Sequence, residues 1–254
     1  MNQSNRTARW LFPLLALCVA VLSQADQTVL GESALHQALL DLGTDMRLMC
    51  LAAHPDDEDG ATLALYRKAY GCKTFAVIAT RGEGGQNEIG PELYEDLGVI
   101  RTREMMRAAA ITGAELRFLN LAEFGYSKSA DEAFAVWGKE ETLRRLVEVI
   151  REVRPDVIIT HHGRAKDHGH HQAIGQALIE AFDLAASPST FPEQIDRGLA
   201  PWQASRLFIR VPKPGGAVKC NVGALEPWSG ETYAEIAARA LGEHRSQGLS
   251  LIHI

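Results

Sequence analysis

Short apolar runs alternate with amphipathic segments along most of the chain. The apolar runs predict buried strands at residues 46–53, 73–80, 116–119, 156–160 and 207–211. Helical spacing of apolar residues predicts helices between and after them, at residues 59–70, 97–112, 139–153, 168–182 and 232–244. The strands are almost continuously apolar, which is typical of strands covered on both faces. The alternation therefore predicts an α/β fold, a Rossmann-like three-layer sandwich with a mainly parallel sheet.

One stretch between the last two predicted strands breaks this pattern. Residues 185–202 are rich in Pro and Ser and lack a clear apolar period. We expect this stretch to form a loop or a subdomain excursion.

The N-terminus has the three-part pattern of a secretory signal peptide. Arg6 and Arg9 precede an apolar run, and Ser23 and Ala25 form a small-x-small cleavage signal. The run is shorter than the roughly 20 residues that span a bilayer, although an uncleaved membrane anchor is the alternative. We therefore expect a secreted or periplasmic protein with no stable membrane span after cleavage. Its parts would be a signal peptide at 1–25, a lead-in at 26–45 and one domain at 46–254.

Composition narrows the classes of partner. The chain has 254 residues, a formal net charge of -6 and 46% hydrophobic residues, which is ordinary for a soluble domain. The charge leaves no broad basic surface, so we expect no nucleic-acid partner. Beyond the signal peptide, Cys50, Cys72 and Cys220 are odd in number and widely spaced, which does not indicate a disulfide framework. The sequence contains no CxxC pair, so a thiolate zinc site is not expected.

The first group of chemically active side chains directly follows the first predicted strand. Residues 54–58 read HPDDE and precede a predicted helix, at the edge of a parallel sheet where ligands bind. Crowded acids repel one another, and a divalent cation removes that cost. His54 and Asp57 can converge on one metal while Asp56 projects beside it. A charged helix cap is the alternative, since helix N-termini favour acids.

A second group opens the helix after the fourth predicted strand. Residues 167–171 read DHGHH, with His168 and His171 on one helical face. Two histidines and one carboxylate form a known catalytic zinc set that leaves a position open for water. A polar helix start with incidental histidines is the alternative. Because both groups follow parallel-type strands, we expect them to meet at one edge of the sheet.

Other classes of protein fit these residues less well. A metal-dependent phosphoesterase also uses His and Asp clusters, but it needs more carboxylate ligands after strands two to four and predicts two metals per chain. A non-catalytic carbohydrate-binding module with a structural metal would hold a closed four-coordinate site, and the spare acid Asp56 argues against it. A nicotinamide-binding domain would need a Gly-x-Gly-x-x-Gly turn after the first strand, where this chain has acids.

The pairing of residues 53–58 (AHPDDE) with residues 168–171 (HGHH) resembles the PIG-L/LmbE-like family of zinc-dependent N-deacetylases. That family includes enzymes acting on N-acetylglucosaminyl-phosphatidylinositol and on the glucosaminyl precursors of mycothiol and bacillithiol. The resemblance extends from about residue 46 to about residue 248 and is nearest to the long secreted members, in which this domain begins a larger chain. It implies a hydrolase that cleaves the amide of an N-acetylated amino sugar or its conjugate, a small-molecule partner. By that comparison the domain is expected to be truncated at its C-terminus.

The resemblance also implies roles for single residues. His54, Asp57 and His171 would bind one Zn²⁺, with Fe²⁺ as the alternative because a His/His/Asp set binds it as readily. Asp56 would be the general base that, with the metal, activates water. His168 would stabilise the oxyanion or protonate the leaving amine.

One further position departs from the family pattern, and one residue and two segments are similar to it. Many members have Asp where this chain has His170, and Asp167 is the candidate substitute as a partner of an imidazole. Arg101, in an Arg-x-x-Glu pattern, would face the substrate pocket, with an exposed helical ion pair as the alternative. Residues 81–87 (RGEGGQN) form a glycine-rich loop that would approach the substrate or be an ordinary turn. Residues 244–248 (HRSQG) would approach the site or simply end a helix.

Overall fold

Strands and helices alternate in the computed structural model, which describes residues 31–163, 167–211, 216 and 218–248. The strands are β1 (Arg47–Ala52), β2 (Lys73–Ile78), β3 (Glu115–Phe118), β4 (Val157–Thr160) and β5 (Arg206–Ile209). The helices are α1 (Glu32–Gly43), α2 (Gly60–Tyr70), α3 (Glu95–Thr112), α4 (Ala130–Trp137), α5 (Lys139–Val153), α6 (Gly169–Leu184), α7 (Pro192–Asp196) and α8 (Tyr233–Leu241), with a 3-10 turn at Arg245–Gln247. The predicted signal peptide and the residues after 248 lie outside the described residues.

The chain forms two units, residues 1–36 and 37–254. The described part of the first unit is residues 31–36, where α1 begins. The remaining description concerns the second unit. Within the described ranges, no helix is long and apolar enough to cross a membrane.

The five described strands lie parallel in one sheet with the order β3-β2-β1-β4-β5. The central strand β1 pairs with β2 on one side and with β4 on the other. The chain leaves β1 toward β2 and returns on the other side through β4. In such a sheet the crevice between the carboxyl ends of these two strands is where ligands bind. The predicted α/β fold with a parallel sheet is confirmed.

Side chains of β1 alternate between two apolar cores. Met49, Leu51 and Ala53 belong to the core formed with helices α4, α5 and α6. Leu48 and Cys50 point the other way and pack against residues of α2 and α3. Helix α8 covers α2 on that outer side, through a smaller cluster. The result is the three-layer arrangement expected from strands that are apolar on both faces.

Three helices were not predicted, and one of them corrects the expected loop. Within residues 185–202 the short helix α7 begins at Pro192, whose fixed φ suits a first helical position. The buried guanidinium of Arg151 holds the segment, donating to Gln194 Oε1 at 2.8 Å and to the Ser187 carbonyl at 2.7 Å. Helix α7 is therefore stabilised by a tertiary contact and not by its own apolar period. The other two unpredicted helices are α1, inside the lead-in, and α4.

Candidate active site

The turn after β1 presents its polar side chains in a fixed order. The backbone N–H of His54 donates to Asp57 Oδ2 at 3.0 Å, and the Asp57 N–H donates to the His54 carbonyl at 3.3 Å. Asp59 then caps α2, accepting the Thr62 N–H at 3.1 Å. The cap of α2 is therefore Asp59, which follows the 54–58 run, so the charged-cap alternative does not account for Asp57. Asp57 instead lies against two histidine rings.

The start of α6 places three histidine side chains next to that turn. His168 is the N-cap, and its Nδ1 accepts the backbone N–H of His170 at 3.1 Å. Gly169 follows because a Cβ there would collide with Ser127 and with the Ser129 carbonyl. The next two residues then project toward the end of β1.

The predicted metal ligands lie together. His54 Nδ1 is 2.9 Å from Asp57 Oδ2, His171 Nε2 is 3.2 Å from the same oxygen, and the two ring nitrogens are 3.3 Å apart. On the outer side of its ring, His171 Nδ1 is 2.9 Å from Asp167 Oδ2. Asp167 thus occupies the imidazole-partner position anticipated for it.

These three atoms fit a divalent cation. The Asp167 carboxylate attracts the proton of His171 to Nδ1, which leaves Nε2 with a lone pair facing an oxygen that only accepts. Two acceptors 3.2 Å apart repel unless a proton or a metal cation lies between them. Tetrahedral zinc with bonds of about 2.0–2.2 Å separates neighbouring ligand atoms by roughly 3.3–3.6 Å. The three atoms are 2.9, 3.2 and 3.3 Å apart, so a small outward shift would admit the ion.

The charges around His54 also favour a cation. Burial lowers the pKa of His54, but hydrogen bonds to Asp57 and Glu123 and their charges outweigh it and raise the pKa to about 10. Burial raises the pKa of Asp57, yet its contacts with His171 and His54 hold it well below the usual range. The pocket therefore holds negative charge that attracts a proton or a metal.

Glu123 is a site residue that the sequence analysis missed. Its Oε2 is 3.2 Å from His54 Nε2 and 3.5 Å from His170 Nδ1, and the side chain is 3% exposed. Glu123 lies on the loop after β3, at the edge of the sheet where the carboxyl ends of the strands meet, and its carboxylate can reach the crevice from there. The signal that was available is an isolated acid between Ala122 and Phe124, four residues after the predicted strand at 116–119. The phosphoesterase alternative requires additional carboxylate ligands after strands two to four, and Glu123 is a carboxylate at such a position.

His162, directly after β4, is a second residue that was missed. It is buried, and its Nε2 accepts the backbone N–H of Ala53 at 2.9 Å. Burial lowers the pKa of His162 to about 3, so the ring is neutral and able to accept. This hydrogen bond ties the end of β1 to the end of β4.

Asp56 and Arg101 are brought together at the edge of the site. Asp56 has a φ of 102°, a strained value for a residue with a side chain. Arg101 is 3% exposed, and its Nη2 donates to the Pro55 carbonyl at 2.7 Å and to Asp56 Oδ1 at 3.3 Å. Its Nη1 donates to the Gly82 carbonyl at 3.1 Å. The guanidinium therefore fastens the turn after β1 to the glycine-rich loop, and its predicted contact with substrate stays a prediction.

The late HRSQG segment packs against the same region. Ser246 donates to the buried Glu104 from its N–H at 2.9 Å and from its hydroxyl at 2.6 Å, so Glu104 does not form an exposed helical ion pair. His244 is 2% exposed, and its Nε2 is 3.9 Å from Glu58 Oε1. Burial raises the pKa of Glu58 to about 7. Gln247 donates to the Gln86 carbonyl at 3.0 Å, so the segment also supports the glycine-rich loop.

A cavity of about 980 Å³ opens beside the predicted metal ligands. Asp56, Asp57 and His171 line one part of it, and other parts are lined by apolar residues of β4, β5 and α8 and by charged side chains such as Arg210 and Lys219. His168 does not line this cavity, and its ring centroid lies 5.2 Å from that of His54 and 5.3 Å from that of His171. The exposed ring of Tyr126 lies edge-on to His168 at 5.0 Å.

The fold and site define an α/β protein with a two-histidine, one-carboxylate candidate metal centre in the crevice of a parallel sheet. The family profile described as "PIG-L: GlcNAc-PI de-N-acetylase" matches residues 49–182, more than half of the chain. The chain belongs to this family, which confirms the resemblance drawn from its motifs.

Named relatives share a common description. The chain is 35% identical over 188 residues to the 1D-myo-inositol 2-acetamido-2-deoxy-alpha-D-glucopyranoside deacetylase of Thermomonospora curvata, covering 65% of this chain and 60% of the relative. It is 33% identical over 215 residues to a deacetylase of the same description from Catenulispora acidiphila, covering 77% of this chain and 64% of the relative. The chain thus spans less than two thirds of the length of these relatives.

Solved structures share the fold at lower identity. N,N'-diacetylchitobiose deacetylase from Pyrococcus horikoshii is 19% identical and covers 98% of this chain and 83% of its own, with a TM-score of 0.65. The 4-carboxy-2-hydroxymuconate hydratase from Pseudomonas putida KT2440 is 17% identical and covers 82% of this chain and 81% of its own, with a TM-score of 0.60. Because these two proteins are named for different reactions, the fold alone does not identify the reaction.

Proposed function

We propose that this chain is a zinc-dependent N-deacetylase that hydrolyses the amide of an N-acetylated amino sugar or of its conjugate. The observation that carries the proposal is the convergence of His54, Asp57 and His171 within 3.3 Å, beside the acid Asp56, in a chain of the PIG-L family. The relatives named as deacetylases of a 2-acetamido sugar conjugate support this substrate class.

The three converging side chains would hold the metal, which when bound polarises an amide carbonyl and makes water more acidic at neutral pH. Two ring nitrogens and one carboxylate oxygen leave a coordination position for water or substrate. Asp57 and His171 also border the cavity of about 980 Å³, which His168 does not line.

Asp56 is the proposed general base. Water adds its oxygen to the amide carbon, the carbonyl becomes an oxyanion, and one proton of the water passes to the Asp56 carboxylate. The oxyanion then re-forms the carbonyl as the C–N bond breaks, and Asp56 passes its proton to the leaving nitrogen. The second proton of the water leaves the new carboxylic acid for the amine, so that acetate and an ammonium ion are released. Arg101 and the turn geometry hold this carboxylate beside the ligand Asp57. A base held in place needs no reorganisation during the reaction.

His168 is the proposed hydrogen-bond donor to the oxyanion. Its Nδ1 accepts the His170 N–H, so the proton of the neutral ring resides on Nε2. Burial, then the neighbouring His54 and His170, lowers the pKa of His168 to about 4. The ring is therefore neutral near pH 7, which favours oxyanion stabilisation over protonation of the leaving amine.

The test measures metal content and acetate release from N-acetylglucosamine conjugates, with and without a chelator. We expect one zinc per chain and hydrolysis that the chelator abolishes. Asp56→Asn should keep the metal and lose about 10²- to 10⁴-fold in kcat. His171→Ala should lose the metal. Two metals per chain with phosphate-ester cleavage would favour the phosphoesterase, and one tightly held metal without amide hydrolysis would favour the binding module.

Export of the chain after removal of residues 1–25 is part of the same proposal. It is supported by the basic, apolar and small-residue pattern of the N-terminus. N-terminal sequencing of protein recovered from the periplasm or the medium tests it, and a mature start near Asp26 is the expected result.

A further inference from the structure

The three candidate ligand atoms, His54 Nδ1, Asp57 Oδ2 and His171 Nε2, are called the ligand trio below. Each of the two histidines has a further carboxylate beside the ring nitrogen that does not belong to this trio. For His171 that carboxylate is Asp167, at 2.9 Å from Nδ1. For His54 it is Glu123, at 3.2 Å from Nε2. The two carboxylates differ in setting, because Asp167 is 58% exposed whereas Glu123 is 3% exposed.

The Glu123 carboxylate is fixed by the protein around it. Its Oε2 accepts the Thr80 hydroxyl at 3.0 Å, and its Oε1 accepts the Gly125 N–H at 2.8 Å. Thr80 follows the end of β2, so these contacts join the loop after β3 to the neighbouring strand. Both oxygens of Glu123 thus accept hydrogen bonds, as those of an ionised carboxylate do.

An ionised carboxylate accepts hydrogen bonds and donates none, which determines where His54 carries its proton. The proton of a neutral His54 ring belongs on Nε2, beside Glu123 Oε2. His54 Nδ1 then has a lone pair directed toward the other two atoms of the ligand trio, and it lies 2.9 Å from Asp57 Oδ2. The opposite tautomer would place a lone pair against the Glu123 carboxylate and a proton where a metal must bind.

His170 completes the enclosure of the His54 ring. It is fully buried, and its Nδ1 is 3.0 Å from His54 Nε2. Trp137 and Phe124 pack on its ring with centroid distances of 4.7 and 4.4 Å. Among the described residues its Nε2 has no hydrogen-bond partner, so the polar contacts of the ring are concentrated at Nδ1.

We propose that Glu123 is a positioning residue of the metal centre, which selects the metal-binding tautomer of His54 and, with Thr80 and His170, fixes the orientation of its ring. Its role in catalysis rests on the proposed function, whereas its effect on metal binding does not. Partners of metal-bound histidines at such positions typically change metal affinity by 10- to 100-fold when they are replaced.

The test compares zinc affinity of the metal-free proteins by competition with a chelating dye. The variants are Glu123→Gln, which removes the charge at nearly constant shape, and Glu123→Ala. The matched control is Glu141→Gln, which removes a carboxylate from the ion pairs on α5, away from the site. Each protein is measured at a temperature where circular dichroism shows it folded.

We expect zinc affinity to fall at least about tenfold in Glu123→Gln and more in Glu123→Ala, with the control within about twofold of the parent. The melting temperature of metal-free Glu123→Gln should stay near that of the parent, which separates positioning from a purely structural role. Unchanged zinc affinity in folded Glu123→Gln would overturn the proposal. If the parent binds zinc but releases no acetate, the proposed function fails while the affinity comparison still decides the role of Glu123.

Discussion

Replacement of His162 by Gln should make the metal-free protein less sensitive to acid. His162 Nε2 accepts the Ala53 N–H, and only a neutral ring has the lone pair to do so. Gln offers a carbonyl oxygen to the same donor and does not titrate. The comparison therefore removes the titration while keeping an acceptor at the junction of β1 and β4.

The sign and size of the effect follow from the pKa of His162, which burial lowers from 6.5 to about 3. The unfolded chain takes up a proton at higher pH than the folded protein, so stability is present above about pH 6.5 and is lost as the pH falls toward 3. One pKa unit corresponds to about 1.4 kcal/mol, which gives a loss of about 2 kcal/mol between pH 7 and pH 5.

Urea unfolding with a chelator present, at pH 7, 6 and 5, measures this difference directly. The parent should lose about 2 kcal/mol relative to His162→Gln over that range. Titrating groups away from this junction are present in both proteins and cancel in the difference, whereas the charges of Asp57, His171 and His54 act on His162 itself. His162→Phe serves as the control: it lacks an acceptor, so it should cost about 1–3 kcal/mol at pH 7 through the unpaired Ala53 N–H. Stability curves of parent and His162→Gln that run parallel from pH 7 to pH 5 would refute the reasoning.

Further predictions concern three other side chains. Arg151→Met should lower the free energy of unfolding by about 3–5 kcal/mol, since it leaves Gln194 and the carbonyls around α7 without their buried donor; chemical unfolding measures it, with zinc content expected to stay unchanged. Arg101→Lys should lower kcat at least about tenfold with zinc retained. An ammonium group cannot contact the Pro55 carbonyl, the Gly82 carbonyl and the Asp56 carboxylate at the same time. An unchanged kcat would contradict the role of Arg101 in positioning Asp56. Tyr126→Ala should raise KM severalfold with little change in kcat, because the exposed ring beside His168 offers an apolar face to a sugar. Tyr126→Phe keeps that face and should behave like the parent. An equal KM in all three proteins would exclude the contact.

The strands and long helices were predictable because their apolar patterns have sharp limits. The stripe of α5 lies between Gly138 and Pro155, and the structure places the helix at Lys139–Val153 as predicted. Helix α7 has five residues and too short a sequence for any period, and it depends on Arg151 from another helix. Such an element is specified by tertiary contacts, which a local pattern does not contain.

The site was predictable where its residues are close in sequence. Asp57 follows His54 by three positions, and Asp167 precedes His171 by four, so short motifs reveal both pairs. Glu123 reaches His54 only through the arrangement of separate loops on the sheet edge, and no motif marks it. Arg101 was recognised as a site residue, but the direction of its guanidinium depends on carbonyl groups of two distant turns.

The pairing of β1 with β4 has a consequence for the link between folding and binding of the proposed metal. The hydrogen bond from the Thr160 hydroxyl to the Leu51 carbonyl joins residues 109 positions apart, and the ligands on either side of it come from the same two distant segments. Contacts of such long range form late, because the loop between them must close first. The proposed metal needs both segments, so it would bind the folded protein and not the unfolded chain. Zinc should therefore raise the free energy of unfolding, and a chelator should lower it.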